Sequence, residues 1–420
     1  MTNDQSRLHG ADFIRASACF IVLFHHLAQR IDSRSELGAT ELARVFNSVG
    51  GFGVAMFFVL SGFLLSRPFW QALDAGKSMP SLRIYALRRA ARIVPGYWVA
   101  LTVTFIASII VGFEPDSWLW LRYISGMLLV SDWHWTTLFP VEINGPLWSI
   151  GFEVTSYALL PLGFLALFRF APRGISARIA WLGVIAAALL AHWIFINTVQ
   201  VDTNRLGWRF GLQGGAKTWM PWFNPFGFFA MFATGALAGG IQVKLAKLRS
   251  IGFDAMAVLA LLGSAALVWA MGLQGGGEFY GWLRVPYQFP LFHLLIGTVL
   301  ATAPSSVLLG RLLDNPVTAY LARISFGIYV WHYLVLELVR LAWGPDLNQG
   351  GLGDPTRFVV ASAVVTGLTI VIAAQSYRRL EAPVMAWARG LEAPRSVHQG
   401  NGQVQRAGKG HPQRVGHEQP

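Results

Sequence analysis

Gly50-Gly51-Phe52-Gly53-Val54-Ala55-Met56-Phe57-Phe58-Val59-Leu60-Ser61-Gly62-Phe63-Leu64 carries no ionisable side chain. With its neighbours it fills a window of about 20 residues, the length a helix needs to cross roughly 30 Å of hydrocarbon. The same window, moved outward along the chain, finds ten such segments: about 11–28, 48–66, 93–113, 146–168, 179–199, 223–243, 252–272, 286–304, 317–342 and 356–376. Composition agrees. The 420 residues are 54% hydrophobic and only 13% charged, with a mean hydropathy of +0.48, whereas soluble domains carry about 25% charged residues. The 17 Trp residues suit helix ends at lipid headgroups. The expected fold is all-α, a polytopic integral membrane bundle of about ten transmembrane helices whose partner is the lipid bilayer.

The formal net charge of +12 invites a nucleic-acid reading, but Lys and Arg fall in short loops between apolar segments and in a polar tail. Topology accounts for them, and no nucleic-acid partner is expected. Cytoplasmic loops carry the excess of Lys and Arg, and the loop after the second segment holds Arg67, Lys77, Arg83, Arg88, Arg89 and Arg92 against Asp74. Alternate connections repeat the bias through Arg169, Arg173 and Arg178, then Lys244, Lys247 and Arg249, then Arg311 and Arg323, then Arg378 and Arg379. A multi-pass cell-membrane protein with both termini cytoplasmic is expected. The first apolar stretch, interrupted by Arg15, His25 and His26, reads as a retained helix rather than a cleaved signal. Residues 392–420 lack the apolar side chains needed to fold, so a membrane domain over 1–391 and a disordered cytoplasmic tail over 392–420 are expected. The opposite loops, 114–145 with Trp118, Trp120, Trp133 and Trp135 and 200–222 with Trp208, Trp219 and Trp222, suit either a sugar platform or an interfacial aromatic belt. The single cysteine, Cys19, excludes an intrachain disulfide and a Cys-based zinc site, and no metal is called for.

Ionisable groups at membrane depth are costly and mark candidate sites. Arg15 and His26 are eleven residues apart, so they share a helix face and lie about 16 Å apart along it. Arginine there can hold phosphate or carbonyl oxygens, and a neutral histidine can take a hydroxyl proton. Arg15 snorkelling to headgroups and His25 with His26 closing the helix at the interface fit the same spacing. In Asn144-Gly145-Pro146-Leu147-Trp148-Ser149-Ile150-Gly151-Phe152-Glu153, a helix starting at the outer surface puts Glu153 about 10 Å in. At a depth like that of His26, it would orient the imidazole as in a triad or make a structural helix contact. Arg89 and Arg92 share a face and, with Arg88 beside them, suit a clamp on a nucleotide or pyrophosphate. Positive-inside orientation alone also puts arginines there.

Taken together, these segments resemble the acyltransferase-3 family of membrane O-acyltransferases over about residues 8–385. Gly10-Ala11-Asp12-Phe13-Ile14-Arg15 through His26 resembles the family's Arg, ten residues, His signature. Gly50 through Leu64 is similar to its glycine-rich second helix, and Arg89 and Arg92 with Ile93 and Pro95 to its paired-arginine motif. Trp148, Ser149 and Glu153 fit its tryptophan, serine and acid pattern. Ser325-Phe326-Gly327-Ile328-Tyr329-Val330-Trp331-His332, then Ser376, Glu381 and Pro383, resemble its closing motifs. Val154 stands where the family often has a second acid, and the stand-alone form, without the esterase-like domain that many members carry after the membrane part, is expected.

The resemblance implies transfer of an acyl group, usually acetyl, from acetyl-CoA or another acyl-CoA to a hydroxyl of a glycan such as an exopolysaccharide or lipopolysaccharide. His26 would be the general base, Arg15 would position the donor or stabilise charge, and Arg88, Arg89 and Arg92 would contact coenzyme A phosphates. Glu153 as partner of His26 rests on the depth argument. Trp148 and His332 are candidates for acceptor binding, with an interfacial role equally open to His332; His192 and His293 match no motif and read as structural. A transporter of an anionic or acylated metabolite is the competing function, against which the chain shows no paired inverted halves. A noncatalytic partner of polysaccharide assembly proteins is a third, and it would tolerate loss of His26.

Overall fold

The computed structural model describes residues 8–114, 117–170, 173–201, 207, 211–274 and 279–392. Among the described residues the chain is helical, with one isolated bridge between Ile31 and Leu352. Ten apolar helices form the bundle: α1 Ala11–Ala28, α2 Gly50–Asp74, α3 Leu82–Ile110, α4 Ser149–Phe170, α5 Gly174–Thr198, α6 Pro225–Leu245, α7 Ile251–Leu273, α8 Leu291–Thr302, α9 Pro316–Trp343 and α10 Pro355–Ser376. Three of them start alike. Asn224, Asn315 and Asp354 each accept backbone N–H groups at the helix start, with proline at the first helical position, where its missing N–H costs nothing.

Nine of the ten are long and apolar enough to cross a membrane. The expected eighth span, 286–304, is the exception. Its helix α8 has 12 residues, about 18 Å at 1.5 Å per residue, because Leu283, Arg284, Tyr287 and Gln288 adopt left-handed backbone angles just before it. A hydropathy window counts apolar residues and is blind to such a turn. Two other ends also move. The basic loop expected up to residue 92 is helical from Leu82, which puts Arg88, Arg89 and Arg92 on the first turns of α3. After α10 the chain continues through a π-helical turn, Tyr377–Glu381, into Ala382–Gly390.

The inner pair is α2 and α6, and glycines let their backbones touch. A Cβ on Gly62 would stand 1.9 Å from the Phe232 carbonyl oxygen, and one on Gly235 would stand 2.0 Å from that of Val59. Lipid tails are as apolar as leucine, so close packing of small residues replaces the hydrophobic drive between helices. Ser66 and Trp70 of α2 both donate to the Ala236 carbonyl, at 3.2 and 2.8 Å. At one end of the bundle the Asp74 carboxylate takes two hydrogen bonds from Arg178, at 2.6 and 2.8 Å, and sits 3.1 Å from Lys244. The connections α2–α3, α4–α5 and α6–α7 therefore share this end.

At the other end the chain does not stay on the surface between α3 and α4. The run from Thr136 to Gly151 is buried almost without break. Its backbone finds protein partners, as it must away from water: Arg122 donates to the Phe139 carbonyl at 2.6 Å and Tyr329 to that of Pro146 at 2.9 Å, while the Asn144 side chain donates to the Val330 carbonyl of α9 at 3.0 Å. Helix α4 thus starts inside the bundle rather than at its outer surface. Asp132 stands at the entry of this segment, fully buried, with Oδ2 accepting from Thr155 at 2.8 Å. Burial pushes its carboxyl up to about 6, against the opposing hydrogen bond from Thr155.

Trp118, Trp120 and Trp133 of the aromatic loops are exposed, Trp219 packs inward, and Trp208 lies outside the described residues. So does the expected tail, except Glu392. Its carboxylate accepts Nε and Nη2 of Arg88 at 2.8 and 2.5 Å.

Gly235→Val drives a methyl group into backbone that cannot yield, at a cost above the ~1–3 kcal/mol of ordinary overpacking. The expected outcome is loss of monodisperse protein in mild detergent, while Gly183→Val, which meets nothing within 4 Å, behaves as the native chain. Asp132 binds its proton up to about pH 6 when folded, whereas the unfolded chain releases it lower, so stability falls as pH rises through that window. Asp132→Asn is expected to raise thermal stability near pH 7.5 by on the order of 2–3 kcal/mol, with the gain vanishing below about pH 4.

Candidate active site

A cavity of about 1110 Å³ lies among α1, α2, α3, α4 and α9, slightly larger than the usual ligand pocket. Arg15, Ser61, Arg89, Glu153, Tyr157 and Tyr329 line its interior, and Arg88, Arg323, Arg389 and Glu392 line its basic end. Ser61 of α2 meets α4, where it donates to Glu153 Oε1 at 3.2 Å and Tyr157 donates to the same oxygen. A carboxylate at membrane depth needs such partners.

The structure treats the cations differently. Arg92 donates to Glu381 at 3.0 Å, and Glu381 is fully buried. Arg88 is committed to Glu392. Arg89 has no hydrogen bond or ion pair among the described residues and acts on Glu153 through its charge alone. The Arg15 guanidinium is 3.9 Å from the Asp12 carboxylate, one turn back on α1. Arg88 and Arg92 are thus engaged by carboxylates, whereas Arg89, Arg323 and Arg389 have no side-chain hydrogen bond or ion pair among the described residues and, with Arg15, can meet an anionic ligand.

His26 belongs to a different layer. Its ring lies 4.7 Å from that of His25, stacks at 5.3 Å on that of His332 and meets the edge of Tyr333 at 4.8 Å. Its Nδ1 is 2.9 Å from Gln29 Oε1. His332 is buried, with Nδ1 2.8 Å from the Tyr329 carbonyl and Nε2 without a hydrogen-bond partner among the described residues. The structure does not bring Glu153 to His26. Glu153 is one turn inward of Ser149, whose hydroxyl is 2.6 Å from Tyr329 Oη, and His332 is nearly one turn outward of Tyr329. At 1.5 Å per residue the carboxylate and the imidazoles are separated by roughly 10 Å along the bundle. The expectation of equal depth fails because α4 begins within the bundle.

Tyr329 joins the two layers. Its ring faces the cavity against Phe57 at 5.7 Å, and its carbonyl holds His332. Trp148 does not line the cavity; its ring packs against Phe152, Trp219, Phe223 and Phe228. His192 is held by Asn224 at 2.7 Å and the Leu283 carbonyl at 3.1 Å, and His293 is buried between Phe289 and Phe292. No cluster of metal-ligating side chains occurs among the described residues. Sequence reading missed Gln29, Ser61, Tyr157 and Tyr333. The first has a legible signal, because residues three apart on a helix are neighbours; Tyr157 stands four after Glu153 for the same reason.

A profile of the acyltransferase domain matches residues 8–374. Over 399 residues the chain is 25% identical to O-acetyltransferase OatA of Staphylococcus aureus (strain NCTC 8325 / PS 47), covering 90% of this chain and 57% of that protein. It therefore spans little more than half the length of that relative. It is 23% identical over 415 residues to Nodulation protein 10 of Rhizobium leguminosarum bv. viciae, covering 94% and 98% of the two chains. With Exopolysaccharide production protein ExoZ of Rhizobium meliloti (strain 1021) it shares 28% identity over 346 residues, covering 81% and 92%.

Proposed function

The chain belongs to the acyltransferase-3 family, and from that we propose that it is a membrane O-acyltransferase that carries an acyl group, acetyl in the simplest case, from acyl-CoA to a hydroxyl of a glycan. The observation that carries this reading is the cavity itself. It is large, its inner wall is apolar through Val54, Phe57 and Phe58, and Arg15 and Arg89 stand in it. An acyl-CoA has matching parts: phosphates for guanidinium groups, a flexible arm and an apolar thioester end. The basic connections at that end make it cytoplasmic on the positive-inside argument, where acyl-CoA is found. The names of OatA and ExoZ support an O-acetyl group and an envelope polysaccharide as the pair joined.

In this reading the donor's phosphates rest near Arg89 at the basic end while its arm extends past Arg15 toward Tyr329. The acceptor hydroxyl approaches from the His26 layer. His26 removes the hydroxyl proton as the oxygen attacks the thioester carbonyl, the task of a positioned general base. Separating donor and acceptor entrances keeps water from the thioester until an acceptor is in place. Glu153, fixed by Ser61 and Tyr157, counters the guanidinium charge of the empty cavity rather than orienting His26.

Membranes containing the chain are expected to transfer label from radiolabelled acetyl-CoA to envelope glycans, and His26→Ala at equal protein level to lower that transfer by about 10²-fold or more. Equal label in both would remove His26 as the base. Arg89→Ala is expected to raise KM for acetyl-CoA on the order of tenfold, the worth of one charge-assisted hydrogen bond. Arg88→Ala, already neutralised by Glu392, should change it less than about threefold; the reverse order would place the phosphates elsewhere.

A further inference from the structure

Three imidazoles meet where α1 ends, and each turns Nδ1 to a carbonyl oxygen. His25 Nδ1 is 3.0 Å from the Phe46 carbonyl, His332 Nδ1 is 2.8 Å from that of Tyr329, and His26 Nδ1 is 2.9 Å from the side-chain oxygen of Gln29. A carbonyl oxygen only accepts, so Nδ1 carries the hydrogen in each ring. In the neutral form Nε2 is then left with a free lone pair, and that is the atom a base uses. Two of the three acceptors are backbone. Only His26 is held by a side chain.

Gln29 is itself anchored. It caps α1, with its N–H donating to the His25 carbonyl at 3.0 Å and its own carbonyl accepting from Gly350 at 3.0 Å. The next residue, Arg30, is clamped by Leu352 N–H on its carbonyl at 2.9 Å and by Glu337 on its guanidinium at 2.6 Å. The segment after α9 therefore fixes the residue that fixes His26. A neutral amide does this without placing a second charge beside the imidazole, which the low dielectric of the site would penalise.

We propose that Gln29 is the positioning residue of the acyl transfer: its side-chain oxygen accepts the Nδ1–H of His26 and so presents Nε2 to the acceptor hydroxyl. This rests on the reading of His26 as the base. As the hydroxyl oxygen bonds to the thioester carbon, its proton moves to Nε2. The carbon–sulfur bond then breaks, and the departing thiolate takes that proton to leave free coenzyme A and an ester.

The charged and titratable groups around His26 are few. From α1 there is His25, from the turn after it Arg30, and from α9 Tyr329, His332, Tyr333 and Glu337, the last paired with Arg30 and Arg340. The stretch of α2 from Gly50 to Leu65 has none. From the helix Glu41–Ser48 there are Glu41 and Arg44, both exposed, with Arg44 held by the Leu273 carbonyl. Arg357 of α10 is paired with Asp346.

The test compares Gln29→Ala, Gln29→Glu and His26→Ala with the native chain in membranes, using radiolabelled acetyl-CoA across a pH series. Gln29→Ala is expected to lower kcat on the order of 10²-fold, the lower end of what a positioned base contributes, with KM for acetyl-CoA within about threefold of native. Gln29→Glu keeps an acceptor oxygen and should recover most of the rate, with the acid limb of the profile moved up by about 1–3 pH units because a carboxylate stabilises the imidazolium. A merely structural role for Gln29 would leave that limb where it is. Native kcat and pH profile in Gln29→Ala beside an inactive His26→Ala would overturn the positioning role alone. Undiminished transfer by His26→Ala would overturn the base on which it rests.

Discussion

Hydrocarbon offers no hydrogen bonds, so every polar group that this chain carries to membrane depth must find its partner inside the bundle. That constraint explains the pairings. Glu153 has Ser61 and Tyr157, Glu381 has Arg92, Glu337 has Arg30 and Arg340, and the buried run before α4 has Arg122 and Tyr329 for its carbonyls and gives its Asn144 side chain to the Val330 carbonyl. The glycines of α2 and α6 make such pairing possible. They bring the backbones into contact, and α4 and α9 then close a cavity on the other face of α2. Where a charge is left with few partners, as at Arg89, the cavity is open to a ligand that supplies them.

The layering of the interior follows from where helices begin. Because the chain dips into the bundle before α4, Ser149 meets Tyr329 and Glu153 lies below it, among the guanidinium groups of α1 and α3. Because α1 ends beside α9, His26 stacks on His332 above. One layer is rich in charge and the other in imidazoles. The proposed pair, an acyl donor of high negative charge and an uncharged acceptor hydroxyl, would suit that division, and Tyr329 touches both layers. In the proposed arrangement Gln29 holds His26 without adding a charge to the Arg30–Glu337 pair nearby.

Much of this was legible in the amino-acid order, and for local reasons. Apolar runs of span length announced the helices, the distribution of Lys and Arg announced which connections share an end, and the eleven-residue spacing of Arg15 and His26 announced a common face. Proline after Asn224, Asn315 and Asp354 is a local signal of the same kind, unused in the reading, for three helix starts. The Gln29 contact was within reach of the same reasoning, being three residues from His26 on one helix. Helix α8 was not, because its shortness comes from backbone angles at Leu283 to Gln288 that composition does not record.

What the order of residues determined by itself was a class of solvent and a set of helix faces, since hydrophobicity and periodicity are properties of neighbours in the chain. Tertiary structure decided the partners. Arg92 and Glu381 are 289 residues apart, Arg30 and Glu337 are 307, and no local pattern says that Arg88 and Arg92 are neutralised while Arg89 is left to the cavity. It also decided depth. Glu153 was placed by assuming that its helix starts at the membrane surface, and the actual start is set by Asn144, Pro146 and Ser149 bonding to α9, contacts that exist only once the chain has folded back on itself.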